Sequence, residues 1–244
     1  MLSLKGKWAL VTGASRGIGR LVSLFLAEKG CNLILQSRDI ANTKEVVKKA
    51  EGLGVKAVPV SAELSELKTV ETMLQEIDQL NVDVDIVMNN AGLQVGYRED
   101  YYKTPVSDYT TSFFVNTIAP MMICYHFLPK MIERGFGRIV NTTSGIRLEP
   151  EQAGYSASKA ALDKVTIDIG SKLDGTGVVI SLTDPGWCRT DLGGPKAPNA
   201  PESALPGVVV GAFIENGKSG RLFPAGEFYN MSLEEAVAKA ENMN

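Results

Sequence analysis

Apolar runs of strand length alternate with longer stretches of helical periodicity along this chain. The runs at 8–11, 32–36, 56–60, 84–88, 137–143, 178–182 and 220–224 read as strands, the last one short. Between them, apolar residues recur at helical spacing over 20–29, from near 40 to 50, over 66–80, through Phe113, Phe114, Val115 and Ile118 to about 134, and over 156–173. Gly30 closes the first helix, and a turn at Gly52 and Gly54 follows the second. Residues 203–214 suit a helix broken near Pro206 and Gly207, and a charged tail helix is expected at about 232–240. Strand–helix alternation predicts an α/β fold: one domain spanning 1–244, with a doubly wound parallel sheet between two helical layers. Ligands of such sheets bind beyond the strand C-termini.

Composition narrows the function classes. Hydrophobic residues make up 44% of 244, enough for a sizeable core, and a net charge of −3 leaves no footprint for nucleic acid. No apolar run of membrane-spanning length and no leader pattern is read, so a soluble, cytoplasmic protein is expected. The cysteines Cys31, Cys124 and Cys188 are widely spaced, which argues against disulfides and a zinc site. His126 is the sole histidine. It lies in a helical run without a nucleophile elbow, which disfavours a Ser-His-Asp hydrolase and a histidine-based metal site. Acid–base chemistry then falls to Tyr, Lys, Asp or Glu.

The candidate chemistry gathers at predicted strand ends. Ser144 follows the fifth strand, and Tyr155 and Lys159, four apart, share one helix face. A tyrosine titrates near 10, and a close ammonium lowers that by roughly 1–3 units, enough for a general acid or base. Ser144 can donate a hydrogen bond to a substrate oxygen held against the phenol. After the first strand, Gly13, Ser15, Arg16, Gly17, Ile18 and Gly19 form a turn into a helix. That geometry receives a pyrophosphate on a helix N-terminus, or is simply a tight connection. Past the second strand, Ser37 and Arg38 stand where a carboxylate would bind the ribose of NAD; Arg38 with Arg16 suits the 2′-phosphate of NADP(H), preferred over NAD(H). Asp39 is expected to cap the next helix. Glu63 and Leu64 end the third strand where an adenine can lie. Asn90, Ala91 and Gly92 end the fourth and suit close approach of a ribose or nicotinamide. Asn116 inside an apolar helix needs a partner: a water, a backbone carbonyl or a neighbouring helix. The segment 185–205, rich in Gly and Pro, is expected to be a substrate loop.

With these motifs in hand, the chain resembles the classical short-chain dehydrogenase/reductase family from Lys7 to about Phe223. The resemblance rests on Thr12-Gly13-x-x-x-Gly17-x-Gly19, Asn89-Asn90-Ala91-Gly92, Asn116, Ser144, Tyr155-x-x-x-Lys159 and Pro185-Gly186, in the family's order. It implies a catalytic tetrad of Asn116, Ser144, Tyr155 and Lys159. Tyr155 passes the proton, Ser144 orients the carbonyl, Lys159 tunes Tyr155 and binds the nicotinamide ribose, and Asn116 holds a relay water. It extends the cofactor set to Tyr155, Lys159, Pro185, Gly186 and Thr190, and the substrate set to Ser144, Tyr155 and Trp187, with no metal. A homodimer or homotetramer built on the Asn116 and Tyr155 helices is implied as well. The chain departs from the family pattern at Glu63, where an aspartate is usual, and in the short interval between Ser144 and Tyr155. Pro185-Gly186-Trp187-Cys188-Arg189-Thr190-Asp191-Leu192-Gly193-Gly194 is similar to the carbonyl-reductase-like branch. The expected activity is NADP(H)-dependent interconversion of a carbonyl and an alcohol. Alternatives are a 3-oxoacyl thioester reductase and a non-catalytic NADP-binding regulatory or interaction protein.

Overall fold

The computed structural model describes residues 1–243. Seven strands form one parallel sheet: β1 (Trp8–Val11), β2 (Asn32–Ser37), β3 (Ala57–Ser61), β4 (Val84–Asn89), β5 (Gly137–Thr142), β6 (Val178–Asp184) and β7 (Arg221–Pro224), in the order β3-β2-β1-β4-β5-β6-β7. All seven were legible because a parallel sheet is covered on both faces, so its strands are nearly continuous apolar runs. Alternation then sorts their side chains. Ala9, Val11, Leu33, Leu35, Met88 and Val140 join one core, with Val22 and Leu26 of α1 (Gly17–Glu28) and Ala236 of α7 (Leu233–Asn242). Leu10, Ile34, Val87, Ile139 and Ile180 join the other. Helices α3 (Leu67–Gln79), α5 (Ala119–Arg134) and α6 (Ala153–Gly170) supply its outer layer through Met73, Phe127 and Leu162. Helix α2 (Lys44–Gly52) covers the β2–β3 end, with Val46 and Ala50 buried.

The chain winds outward from β1 to β3, returns, and winds the other way from β4 to β7. The reversal lies between β1 and β4, and ligands of such sheets bind beyond the strand C-termini at that point. Every strand ends on that same edge, which gathers residues far apart in sequence.

Three expectations change. The 203–214 region is two short 3-10 segments, Pro201–Ala204 and Gly207–Ala212, not a broken α-helix. Its valines and Phe213 are buried, so core packing holds it together with short-range bonds such as Val209 N–H to the Pro206 carbonyl. The long helix is α4 (Val106–Phe113), a π-turn at Phe114–Ile118, then α5. That run, Val106–Arg134, is long and apolar enough to cross a membrane by length and composition, contrary to the sequence reading. Here Ile123, Cys124, Phe127 and Met131 spend their apolarity on the sheet. The tail helix α7 begins at a capping box in which Ser232 and Glu235 satisfy each other's backbone N–H groups.

Candidate active site

The turn after β1 is built for close approach. A Cβ on Gly19 would lie 2.2 Å from the Gly13 carbonyl oxygen and 2.5 Å from Asn90 Nδ2, so no side chain fits. The Thr12 hydroxyl accepts hydrogen bonds from the Asn90 and Ala91 N–H groups at 3.1 and 3.0 Å, joining this turn to the end of β4. Buried Gln36 accepts from the Gly13 N–H at 3.0 Å and donates to the Ala62 carbonyl at 2.9 Å, linking the ends of β1, β2 and β3. The first turn of α1 carries neither a side-chain cap nor an acidic residue. Its N–H groups around Ser15, Arg16, Gly17 and Ile18 therefore remain a receptor for an anion. The donor set and the glycine cradle fit the pyrophosphate of a dinucleotide.

The two expected phosphate arginines have different surroundings. Arg38 is exposed just past β2. Arg16 does not converge on it: its Nη1 lies 2.7 Å from Asp191 Oδ2 in the loop after β6. Asp39 caps as expected, accepting from the Ala41 N–H at 2.8 Å. Glu63 folds back on its own loop, where Oε1 accepts from the Ser65 N–H and hydroxyl, while Leu64 is buried.

Around Tyr155 the tetrad assembles. The residue lies in the first turn of α6, 8% exposed. Burial pushes its phenol above the ordinary value; the neighbouring Ser144 hydroxyl acts the other way, and the Asp184 charge adds to the rise. The expected lowering by Lys159 is therefore corrected. Lys159 Nζ stands 5.9 Å from the Tyr155 ring centroid and donates to the Thr142 carbonyl at 2.7 Å. Burial pushes the Lys159 ammonium down to about 8, opposed by Asp163 and Asp184. In this ligand-free arrangement, loss of water outweighs the attraction that the four-residue spacing suggested.

Asn116 occupies the π-turn, a helical irregularity frequent at functional sites. Both amide atoms are engaged: Oδ1 accepts from the Leu93 N–H at 2.8 Å, and Nδ2 donates to the Leu93 carbonyl at 2.8 Å and the Ser158 hydroxyl at 3.0 Å. Ser158 in turn donates to the Tyr155 carbonyl at 2.7 Å. Two of the expected partners, a backbone carbonyl and a neighbouring helix, are present together, and one amide joins the segment after Gly92 to α6. Gly92 adjoins this group, with Asn116 Oδ1 and Lys159 Nζ each 3.6 Å from where its Cβ would be.

The walls are more ordered than loop composition implied. Trp187 is 58% exposed, and its Nε1 donates to the Gly193 carbonyl at 2.7 Å. Arg189 donates to the Ala197 and Pro198 carbonyls, so the 185–200 loop is stapled to itself. Thr190 lies over Gly17, its methyl 3.3 Å from where a Cβ would stand. Gly186 follows Pro185 with φ +72°. On the other side, Arg98 grips Asp108 of α4 through two bonds of 2.7 and 3.0 Å. His126 stays outside the site, Nε2 3.0 Å from Asp78 Oδ1. Sequence reading gave no role to Gln36, Ser158 and Asp184 and quoted Thr12 only within the glycine motif; their partners Gly13, Asn116, Gly145 and Asn90 are distant in the chain. The one local signal was the position of Asp184 directly before Pro185-Gly186.

Comparison with known proteins agrees with this arrangement. The family model described as short chain dehydrogenase matches residues 7–200. A short chain dehydrogenase of Pseudocercospora fijiensis is 32% identical over 195 residues, covering 79% of this chain and 63% of that protein, so the chain spans less than two thirds of that relative's length. The 3-oxoacyl-[acyl-carrier-protein] reductase FabG of Aquifex aeolicus is 32% identical over 195 residues, covering 78% of this chain and 77% of that one. A metagenomic short-chain oxidoreductase solved in complex with NADP superposes with a TM-score of 0.70 at 29% identity, covering 77% of this chain and 86% of its own. With the glycine cradle at the β1–β4 reversal and the Ser144–Tyr155–Lys159 group beyond β5, these matches make the chain a member of the short-chain dehydrogenase family.

Proposed function

We propose that the protein is an NADP(H)-dependent oxidoreductase that interconverts a ketone or aldehyde and an alcohol. The observation that carries this reading is the buried Tyr155 phenol beside the Ser144 hydroxyl, with the buried Lys159 ammonium one helical turn along the same face. When bound, the dinucleotide supplies or takes the hydride. The chain's own residues do the rest. Ser144 holds the substrate oxygen and Tyr155 gives its phenolic proton to that oxygen as the alcohol forms, or takes it in the reverse direction. Lys159 keeps a positive charge beside the phenolate that remains. Asn116, its amide already spent on Leu93 and Ser158, fixes the spacing of the two walls; a relay water would use main-chain groups there.

Gly13, Ser15, Arg16, Gly17, Ile18 and Gly19 would hold the pyrophosphate, and Arg38, with Arg16 released from Asp191, the 2′-phosphate. Asn90, Ala91, Gly92, Pro185, Gly186 and Thr190 would line the nicotinamide half. Exposed Trp187, Tyr97 and Tyr101 favour an apolar or ring-bearing carbonyl. Exposed Tyr109, Tyr125 and Ile167 on α4, α5 and α6 suit a second copy of the chain. The test is oxidation of NADPH and NADH with diketones, quinones, aldehydes, hydroxysteroid ketones and a 3-oxoacyl thioester. Turnover with NADPH on a free carbonyl supports the proposal, and turnover confined to the thioester favours the activity named for the Aquifex relative. NADPH binding without turnover of any of them favours a regulator.

A further inference from the structure

The β5–β6 ladder has its last main-chain rung at the Thr143 N–H, which donates to the Thr183 carbonyl at 2.8 Å. One residue further, a side chain continues it. Asp184 Oδ2 accepts from the Gly145 N–H and Oδ1 from the Gly186 N–H, each at 2.9 Å. The approach is close: a Cβ on Gly145 would come within 2.8 Å of Asp184 Oδ2 and displace the carboxylate. Gly145 directly follows Ser144, and Gly186 directly follows Pro185. One carboxylate thus spans the two loops that leave the sheet on either side of the reaction site. Bonds from N–H groups to an ionised acceptor are shorter and stronger than neutral ones.

We propose that Asp184 is a positioning residue of this site, extending the ladder past its last rung so that Ser144 and the Pro185–Gly186 turn are held at a fixed separation. The inference rests on the reading of Ser144 and Tyr155 as the reacting pair. The same charge faces Tyr155, Lys159 and Asp163 on α6 and Cys188 on its own loop, raising the proton affinity of all four. Ser144 acts on Tyr155 and Thr143 on Asp163 in the opposite sense, and Arg189 and Glu202 also act on Cys188. Asp184 therefore couples the geometry of the site to its protonation.

Asp184→Asn keeps the shape and one acceptor but removes the charge; Asp184→Ala removes both. Tyr155 is titrated by phenolate absorbance, as the difference from the matching Tyr155→Phe protein, and exchange of the Gly145 and Gly186 amides is followed by NMR. Neither readout needs a substrate, so a wild type that reduces no carbonyl refutes the functional reading while leaving this test intact. Asp184→Asn is expected to titrate Tyr155 at lower pH than wild type, and Asp184→Ala to exchange both amides faster. With an active carbonyl, kcat falls roughly 10- to 100-fold, the scale of a small misplacement, while the KM for NADPH changes little. Wild-type amide exchange and an unmoved Tyr155 titration overturn the proposal. A fall in kcat and thermal stability with the titration unmoved also overturns it, since that assigns Asp184 to folding alone. If Asp184→Ala does not fold, the near-isosteric Asp184→Asn decides through the titration.

Discussion

The Arg16 guanidinium, 2.7 Å from the Asp191 carboxylate, joins the turn after β1 to the loop after β6. Both side chains are largely exposed, so the pair contributes only about 0–1 kcal/mol. A 2′-phosphate and Asp191 would compete for the same cation. Asp191→Asn is expected to tighten NADPH binding by up to about fivefold, the factor that range permits, and to leave NADH binding unchanged. Fluorescence titration of the two cofactors checks it.

Arg38 carries the other half of the preference. It is exposed where a carboxylate would serve NAD, and Asp39 beside it is committed to the Ala41 N–H. Arg38→Ala is expected to weaken NADPH about 10- to 100-fold, the scale of a hydrogen bond to a charged group, with little change for NADH. Equal losses for both cofactors would argue against the 2′-phosphate assignment.

Lys159 gives a stability signature. Its folded value is about 8, against an ordinary 10.5. Below pH 8 both folded and unfolded chains hold the proton. Between about 8 and 10.5 the unfolded chain holds more, so this group makes stability rise with pH across that window. Lys159→Met is expected to abolish that component of the rise and all turnover. Urea denaturation at pH 7 and pH 9.5, compared with wild type, reads it.

Gly19→Ala places a methyl 2.2 Å from the Gly13 carbonyl oxygen, and the turn must shift. The expected cost is about 1–3 kcal/mol in stability with loss of NADPH binding. Gly96→Ala, with nothing within 4 Å of its Cβ, is the silent control. Thermal melts with and without NADPH compare the two.

Local pattern carried the strands and the order of the motifs, because buried parallel strands are apolar throughout and the motif residues lie at their ends. It placed α6 three residues late, since Ala153 and Gly154 read as loop while their backbone is already helical. It could not see the π-turn at Asn116, which follows from bonds to Leu93 and Ser158 across the fold. Spacing put Tyr155 and Lys159 on one face correctly, yet gave the wrong sign for Tyr155, because burial depends on what packs above the helix. Asp184 was legible only as a neighbour of Pro185; its bond to Gly145 required the sheet.

The most direct test of the account is the rate of NADPH oxidation with the best carbonyl of the panel, measured side by side for wild type and Tyr155→Phe, with NADPH affinity measured for both. Turnover by wild type is expected, with a loss of about 10²–10⁴-fold or more in the variant as its general acid is removed, and unchanged NADPH affinity. Equal rates in the two proteins would contradict it.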